Sequence, residues 1–260
     1  MTKNKKPLIL VTNDDGITAS GLKVLVNAAK KWGEIVVVAP DSPQSGQGHA
    51  ITLNHPLRIY EVDEFGDIEA YKCNGTPVDC VKLAKSVLLK DREIDLCLSG
   101  VNHGSNVAIN ILYSGTMSAA MEASLEGIPS IGFSITEFLP GANFEPYGNL
   151  VSDIVGYVIE KGMEHTKLLN INIPYIGVEN IKGIKVCRQA EANWKEEYIA
   201  NNDPLGRTYY WMSGVFENYD NGPDTDVEAL ENGYVSIVPC EHDLTAYKSF
   251  VSLKSIESIL

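Results

Sequence analysis

The first forty residues most restrict what this chain can fold into. Leu8-Ile9-Leu10-Val11 is an uninterrupted apolar run, which reads as a strand buried on both faces. Leu22, Leu25, Val26 and Ala29 follow at helical spacing, and Gly33 ends that helix. Ile35-Val36-Val37-Val38-Ala39 is a second buried strand, stopped by Pro40. A strand, a helix and a strand in so short a span form a βαβ unit, and the crossover makes its two strands parallel.

The alternation continues along the chain. Residues 41–49 form a polar loop rich in Ser and Gly, and short strands or hairpins are expected at 51–53, 57–62 and 68–72. Thr76-Pro77-Val78-Asp79 is a helix start, with Thr76 as N-cap, Pro77 at the first helical position and Asp79 as capping-box partner. That helix is expected to reach about Leu89. Leu96-Cys97-Leu98-Ser99 is another buried strand, followed by a loop over 100–106. Ser114 or Thr116 opens a helix ending near Gly127, and residues 131–135 return as a strand. Leu150, Val151, Ile154, Val155 and Val158 mark a further helix, and the strand 168–173 closes the series.

After Pro174 the texture changes. Trp194, Tyr198, Tyr209, Tyr210, Trp211 and Tyr219 cluster among strand-like stretches at 184–188, 207–212 and 234–238. A last helix is expected near 249–259. The fold class is therefore α/β with a mainly parallel sheet. One domain covers 1–260, with a core over about 1–180 and a β-rich C-terminal extension over about 181–260. A chain of 260 residues is long enough for this, since a domain of that size buries roughly 70–75% of its unfolded surface.

Charge and cysteine usage exclude several functions. A net charge of −13 repels polyanions, so no nucleic-acid polymer is expected as partner; it also raises the local cation concentration. Cys73, Cys80, Cys97, Cys187 and Cys240 are odd in number and widely spaced, which fits neither a disulfide framework nor a thiolate zinc site. Reduced cysteines in a cytoplasmic protein are expected. No apolar run approaches the roughly 20 residues that cross a bilayer. The basic start, Met1 to Pro7, leads into an apolar stretch too short for an export signal.

Ligands of parallel α/β sheets bind at the carboxyl ends of the strands, and that rule selects four loops. Asn13-Asp14-Asp15-Gly16 holds two adjacent carboxylates where a dinucleotide fold would carry a Gly-rich loop. They suit a hard divalent cation that bridges carboxylate to phosphate, although Asp-Gly is also common in plain turns. Residues 42–49 offer small residues for close backbone approach and the Ser45 hydroxyl. Residues 99–106 offer Asn102 and Asn106, whose amides serve either as ligands or in turns. Tyr113-Ser114-Gly115-Thr116 puts small hydroxyl residues at a helix N-terminus, which is either a phosphate site or an ordinary cap. His103 and His242 are candidate proton-transfer groups. No H-E-x-x-H or other zinc spacing occurs. Taken together, the four loops suggest metal-assisted phosphoryl transfer.

At these same residues the chain resembles the SurE family, survival proteins that are 5′/3′-nucleotidases. The matching segments are 11–17, 38–41, 45–49, 75–81, 99–102, 113–116, 233–239 and 243–245, in the family's order and over most of the chain. The resemblance implies a Rossmann-like three-layer core and an extension that embraces a partner subunit in a homodimer or homotetramer. It implies one divalent ion per subunit, Mg²⁺ or Mn²⁺ (Ca²⁺ also suits the site), held by Asp14, Asp15, Ser45 and Asn102. With that ion in place, Asp14 and Asp15 are the candidate catalytic residues, Asn106, Ser114, Gly115 and Thr116 the candidates for holding phosphate, and His103 lies toward the substrate. The implied substrates are nucleoside 5′- and 3′-monophosphates, with short polyphosphate as a side activity. His103 stands where the family often has Arg or a small residue, and Cys240 where Leu is usual.

Two other chemistries begin with a strand and acids. An aspartyl-phosphate enzyme of the haloacid-dehalogenase type wants two Asp separated by one residue, whereas Asp14 and Asp15 are adjacent. A signalling receiver domain needs a phospho-accepting Asp and a later Lys; Asp41 could be the first, but Thr136-Glu137 brings no Lys after the strand at 131–135.

Overall fold

The computed structural model describes residues 6–139 and 141–259. Most of the basic start, 1–5, lies outside the described residues. In chain order the elements are β1 (Leu8–Thr12), α1 (Ser20–Ala29), β2 (Glu34–Pro40), β3 (Ile59–Glu61), β4 (Glu69–Cys73) and α2 (Pro77–Leu83). Then come β5 (Leu96–His103), α3 (Gly115–Leu125), β6 (Ser130–Ile135), α4 (Gly148–Lys161) and β7 (Leu168–Ile173). The last third holds β8 (Ile184–Val186), β9 (Ala192–Asn202), β10 (Thr208–Asn218), α5 (Asp226–Glu231), β11 (Val235–Cys240) and α6 (Tyr247–Leu253).

Nine strands form one sheet in the order β3-β4-β2-β1-β5-β6-β7-β11-β8. From β4 across to β7 every pairing is parallel. The chain winds outward from β1 through β2 to β4, then returns to place β5 on the other side of β1. This reversal between β1 and β5 is the topological switch point of a doubly wound sheet. β1 itself is wholly buried, and one apolar cluster lies on each face of the sheet: Ile9, Val11, Leu22, Leu25 and Val155 on one, Leu8, Leu10, Val81 and Ala123 on the other. The alternation of those β1 residues between the clusters is the period-2 geometry of a strand covered on both faces.

Most elements fall where the sequence predicts. Thr76 caps α2: its hydroxyl accepts from Asp79 N–H at 3.1 Å, and Asp79 accepts in return from Thr76 N–H at 2.9 Å. The helix gives way at Ala84–Leu88 to a wider π-helical turn before its expected end at Leu89. Residues 51–53 form no strand, and the edge strand is only Ile59–Glu61.

Two expectations need correction. The strand that was to stop at Ser99 runs on to His103. Its pairing with β6 shifts register between Ser99 and Asn102 and then resumes, Asn102 opposite Ser134 and His103 opposite Ile135. Gly100 and Asn102 read as loop residues because a bulge uses the same residue types as a turn. The boundary expected near residue 180 also does not divide the sheet: the strand 168–173 closes the series of parallel strands, but the sheet runs on. β11 pairs antiparallel with β7, and β8 pairs parallel with β11, so part of the extension completes the core. What stands apart is the ribbon β9–β10, eleven residues a strand, in which β9 was legible only as scattered aromatics.

Glu122, buried on α3, ties three elements together. Lys82 of α2 lies 2.5 Å from one carboxylate oxygen, and His49 Nε2 lies 2.8 Å from the other. His49 ends the polar loop that follows β2, so Glu122 pins that loop to the helix. Burial raises the Glu122 pKa, but the bonds from Lys82 and His49 outweigh it and hold the value below the ordinary 4.5. The group's stabilising contribution is therefore complete above the unfolded value and is lost as pH falls through the folded one. Urea unfolding of wild type and Glu122→Gln from pH 7 to pH 3 checks this: the wild type's advantage shrinks below about pH 4.5 and is constant above pH 6.

Candidate active site

The carboxyl ends of β1 and β5 meet at the switch point, with Thr12 opposite Ser99 in the ladder. Asn13 closes the turn after β1; its side chain accepts from Gly16 N–H at 3.2 Å and donates to Gly16 O at 3.1 Å. Asp14 and Asp15 are carried on that turn. Asp14 is 4% exposed, and burial lifts its pKa to about 6, with the neighbouring charge of Asp15 adding to the rise and the Thr116 hydroxyl opposing it. Burial also raises Asp15, while the backbone of His103 offsets part of that rise. A buried acid beside a half-buried one favours whatever offsets their mutual repulsion, and a divalent cation does so most directly.

Five buried side-chain atoms among the described residues have no hydrogen-bond partner: Thr12 Oγ1, Asp15 Oδ2, Ser99 Oγ, His103 Nδ1 and Ser236 Oγ. The first four share the carboxyl ends of β1 and β5. A buried polar atom left unmatched costs about 1–3 kcal/mol, so their gathering at one edge makes it the candidate ligand site. Asn102 adds an oxygen. Its amide nitrogen donates to Gly104 O at 2.8 Å, and because a carbonyl only accepts, that bond fixes the amide and leaves Oδ1 uncommitted.

The other two loops close around this pair. Gln44 N–H donates to Asp14 O at 2.8 Å, and Gly48 N–H to Tyr113 O at 3.2 Å, so the loop that carries Ser45 crosses the mouth of the site. Ser45 itself is exposed. Ser114 caps α3, its hydroxyl accepting from Met117 N–H at 3.0 Å. Gly115 lies directly against Asp14: a Cβ there would sit 2.7 Å from Asp14 Cβ. The Thr116 hydroxyl donates to Asp14 Oδ1. The first turn of α3 thus faces the acidic pair with backbone N–H groups that the helix leaves unpaired.

The remaining candidates divide. Asn106 is buried and held by its neighbours: its amide donates to Ser134 Oγ at 2.8 Å, its N–H to Asn172 Oδ1 at 2.7 Å, and its carbonyl accepts from Asn170 at 2.7 Å. One amide hydrogen and Oδ1 are left for a ligand. The ring of His103 lies on Phe144, centroids 4.3 Å apart, and burial lowers its pKa. His242 is corrected outright. It follows β11, whose Cys240 pairs with Leu168 at the amino end of β7, so it lies at the opposite edge of the sheet. Its sequence looked suitable only because strand direction was unknown.

This geometry defines a doubly wound α/β protein with two adjacent acids at its switch point, flanked by a helix N-terminus. The chain belongs to the SurE family: the model described as "Survival protein SurE" matches residues 9–196. It is 54% identical over 243 residues to the 5′-nucleotidase SurE of Cytophaga hutchinsonii, covering 94% of each chain. To the 5′-nucleotidase SurE of Christiangramia forsetii it is 53% identical over 253 residues, covering 96% of this chain and 97% of the relative. The crystal structure of the SurE protein from Aquifex aeolicus superposes with a TM-score of 0.84 at 42% identity, covering 96% of this chain and all of that one.

Sequence reasoning missed Gln44 and the unpartnered Thr12 and Ser99. Thr12 and Ser99 read as ordinary strand residues, and Gln44 acts through its backbone. Nor does any spacing announce Glu122, which is 73 residues from His49. Gly115→Ala is a direct check on the packing. The added Cβ pushes Asp14 off the helix, and titration calorimetry is expected to show Mn²⁺ affinity falling at least about tenfold (about 1.4 kcal/mol) with the circular-dichroism spectrum unchanged.

Proposed function

We propose that the chain is a divalent-metal-dependent nucleotidase that hydrolyses nucleoside 5′- and 3′-monophosphates to nucleoside and phosphate. The observation that carries this reading is the grouping of four unpartnered polar atoms, one of them on Asp15, with the buried carboxylate of Asp14 beside a helix N-terminus. The names of the relatives supply the substrate class.

Asp14, Asp15, Asn102 through Oδ1 and Ser45 through its hydroxyl would hold the ion, an all-oxygen set that suits Mg²⁺ or Mn²⁺ and also admits Ca²⁺. Bound there, the ion supplies Lewis-acid polarisation of the phosphoryl group and a lowered pKa for water. The protein's own work is orientation and charge. Thr116 holds Asp14 in place from the helix. Asp15, with one oxygen unmatched in the chain, orients the attacking water. The N–H groups of Ser114 and Gly115 and the free amide hydrogen of Asn106 take the phosphate oxygens, and their hold tightens as charge develops. His103 lines the path to the rest of the substrate. Short polyphosphate, which presents the same terminal phosphoryl group, is a side substrate. The five free cysteines suit a reducing cytoplasm.

The ribbon β9–β10 is the surface for a second copy. Its strands carry Tyr198, Ile199, Tyr210, Trp211 and Met212, each more than half exposed, and a lone two-stranded ribbon is marginal in water. Its base is anchored: Trp194 Nε1 donates to Asn110 Oδ1 at 2.7 Å, and Phe216 packs on Val107, Ala190 and Val227. Light scattering of Tyr210→Glu/Trp211→Glu is expected to give monomers where wild type gives dimers or tetramers.

Phosphate release from nucleoside monophosphates, with Mn²⁺ or Mg²⁺ and again with EDTA, tests the activity. Release is expected only with metal. Asp14→Asn and Asp15→Asn are expected to fold and to lose at least about 100-fold in turnover; near-native turnover in either would remove that residue from the site.

A further inference from the structure

Phe138 lies on the connection from β6 to α4, outside the core, with 68% of its surface exposed. Its ring nevertheless has a defined seat. Gly104 lies under it so closely that a Cβ at 104 would come within 2.1 Å of Phe138 Cε1, and Gly104 adopts φ +91°, a conformation that favours glycine. The backbone on either side of the ring is tied down. Gly104 N–H donates to Ile135 O at 2.9 Å and Thr136 N–H to Ile173 O at 3.0 Å. Tyr175 N–H donates to Thr136 Oγ1 at 2.8 Å, and Leu139 N–H to Glu137 Oε1 at 2.9 Å. An aromatic ring fixed in position yet mostly in water gains little from its own burial.

The seat adjoins the acidic cleft. Gly104 O is the acceptor that fixes the Asn102 amide, and His103, between them, has its backbone against Asp15. The ring therefore stands over Gly104, which is two residues along the chain from a proposed ion ligand, on the same edge of the sheet. In a nucleoside monophosphate the sugar holds the base away from the phosphate. With phosphate at the first turn of α3, the base needs a flat apolar surface displaced along that edge.

We propose that Phe138 is the platform on which the nucleobase of the substrate stacks. The proposal rests on the nucleotidase reading above and deepens it. Every base has a π-face, so stacking tolerates any base. Phe138 accordingly favours nucleotides over phosphate esters that lack a base and discriminates little among bases.

The test compares full-length wild type, Phe138→Ala and Phe138→Tyr with Mn²⁺ on AMP, GMP, CMP, UMP and ribose 5-phosphate, with the mass of each variant in solution measured alongside. In Phe138→Ala, KM for all four nucleotides is expected to rise at least about fivefold, with kcat and the kcat/KM for ribose 5-phosphate unchanged. Phe138→Tyr, which keeps the ring, is expected to restore wild-type KM. Equal losses on ribose 5-phosphate, unchanged KM for nucleotides, or a variant that changes oligomeric mass would each overturn the proposal alone. Wild-type enzyme that hydrolyses neither class of ester would overturn the nucleotidase reading and the proposal with it.

Discussion

Two carboxylates side by side and largely out of water are the constraint around which this fold is arranged. Alone, such a pair repels, and burial lifts Asp14 to a pKa of about 6. The surroundings are built to keep it in place all the same. β1 delivers the pair at the point where the sheet reverses, β5 brings the Asn102 oxygen alongside, and α3 aims its positive end at Asp14. Gly115 is small because Asp14 rests on it, and Thr116 carries a hydroxyl because Asp14 accepts from it. These residues are read most economically as supports for one charged centre.

The same constraint explains the loop after β2. It is exposed along most of its length, yet each part of it is fastened: Gln44 to the backbone of Asp14, Gly48 to Tyr113, His49 to Glu122, and Ala50 to Thr76, whose hydroxyl donates to its carbonyl at 2.7 Å. The capping box of α2 and the buried acid of α3 thus hold a segment that belongs to neither helix. Ser45 gains a defined position from neighbours that contribute nothing to its own burial.

Much of this was legible in the sequence because it depends on local rules. The run Leu8–Val11, the helical spacing after it and the Thr76-Pro77-Val78-Asp79 start each report a neighbourhood of a few residues, and each element formed as read. The rule that ligands bind at the carboxyl ends of parallel strands selected the edge that carries Asp14, Asp15, Asn102 and Ser114; the switch point itself needed the strand order. What stayed hidden depends on distant partners. A bulge at Gly100 and a turn at Gly100 use the same residue types, and only the register with β6 separates them. The direction of β11 was invisible, and only that direction shows that His242 lies away from the edge that carries Asp14. The family resemblance implied a ligand set, but not the atoms that lack partners or the packing of Gly115 on Asp14.

The place of β5 beside β1 has a consequence for how the site comes into being. Leu8 N–H donates to the side chain of Asp95 at 2.7 Å across 87 residues of chain, and every β1–β5 pair spans a similar separation. Parallel strands this far apart have no hairpin to nucleate them, and the entropy of closing the loop opposes their first contact. β1 with α1 and β2 can assemble from near neighbours; the cleft cannot, since its acids and its amide lie on opposite sides of that closure. The proposed binding centre is thus a property of the finished sheet, absent from any partly folded chain in which β5 has yet to dock.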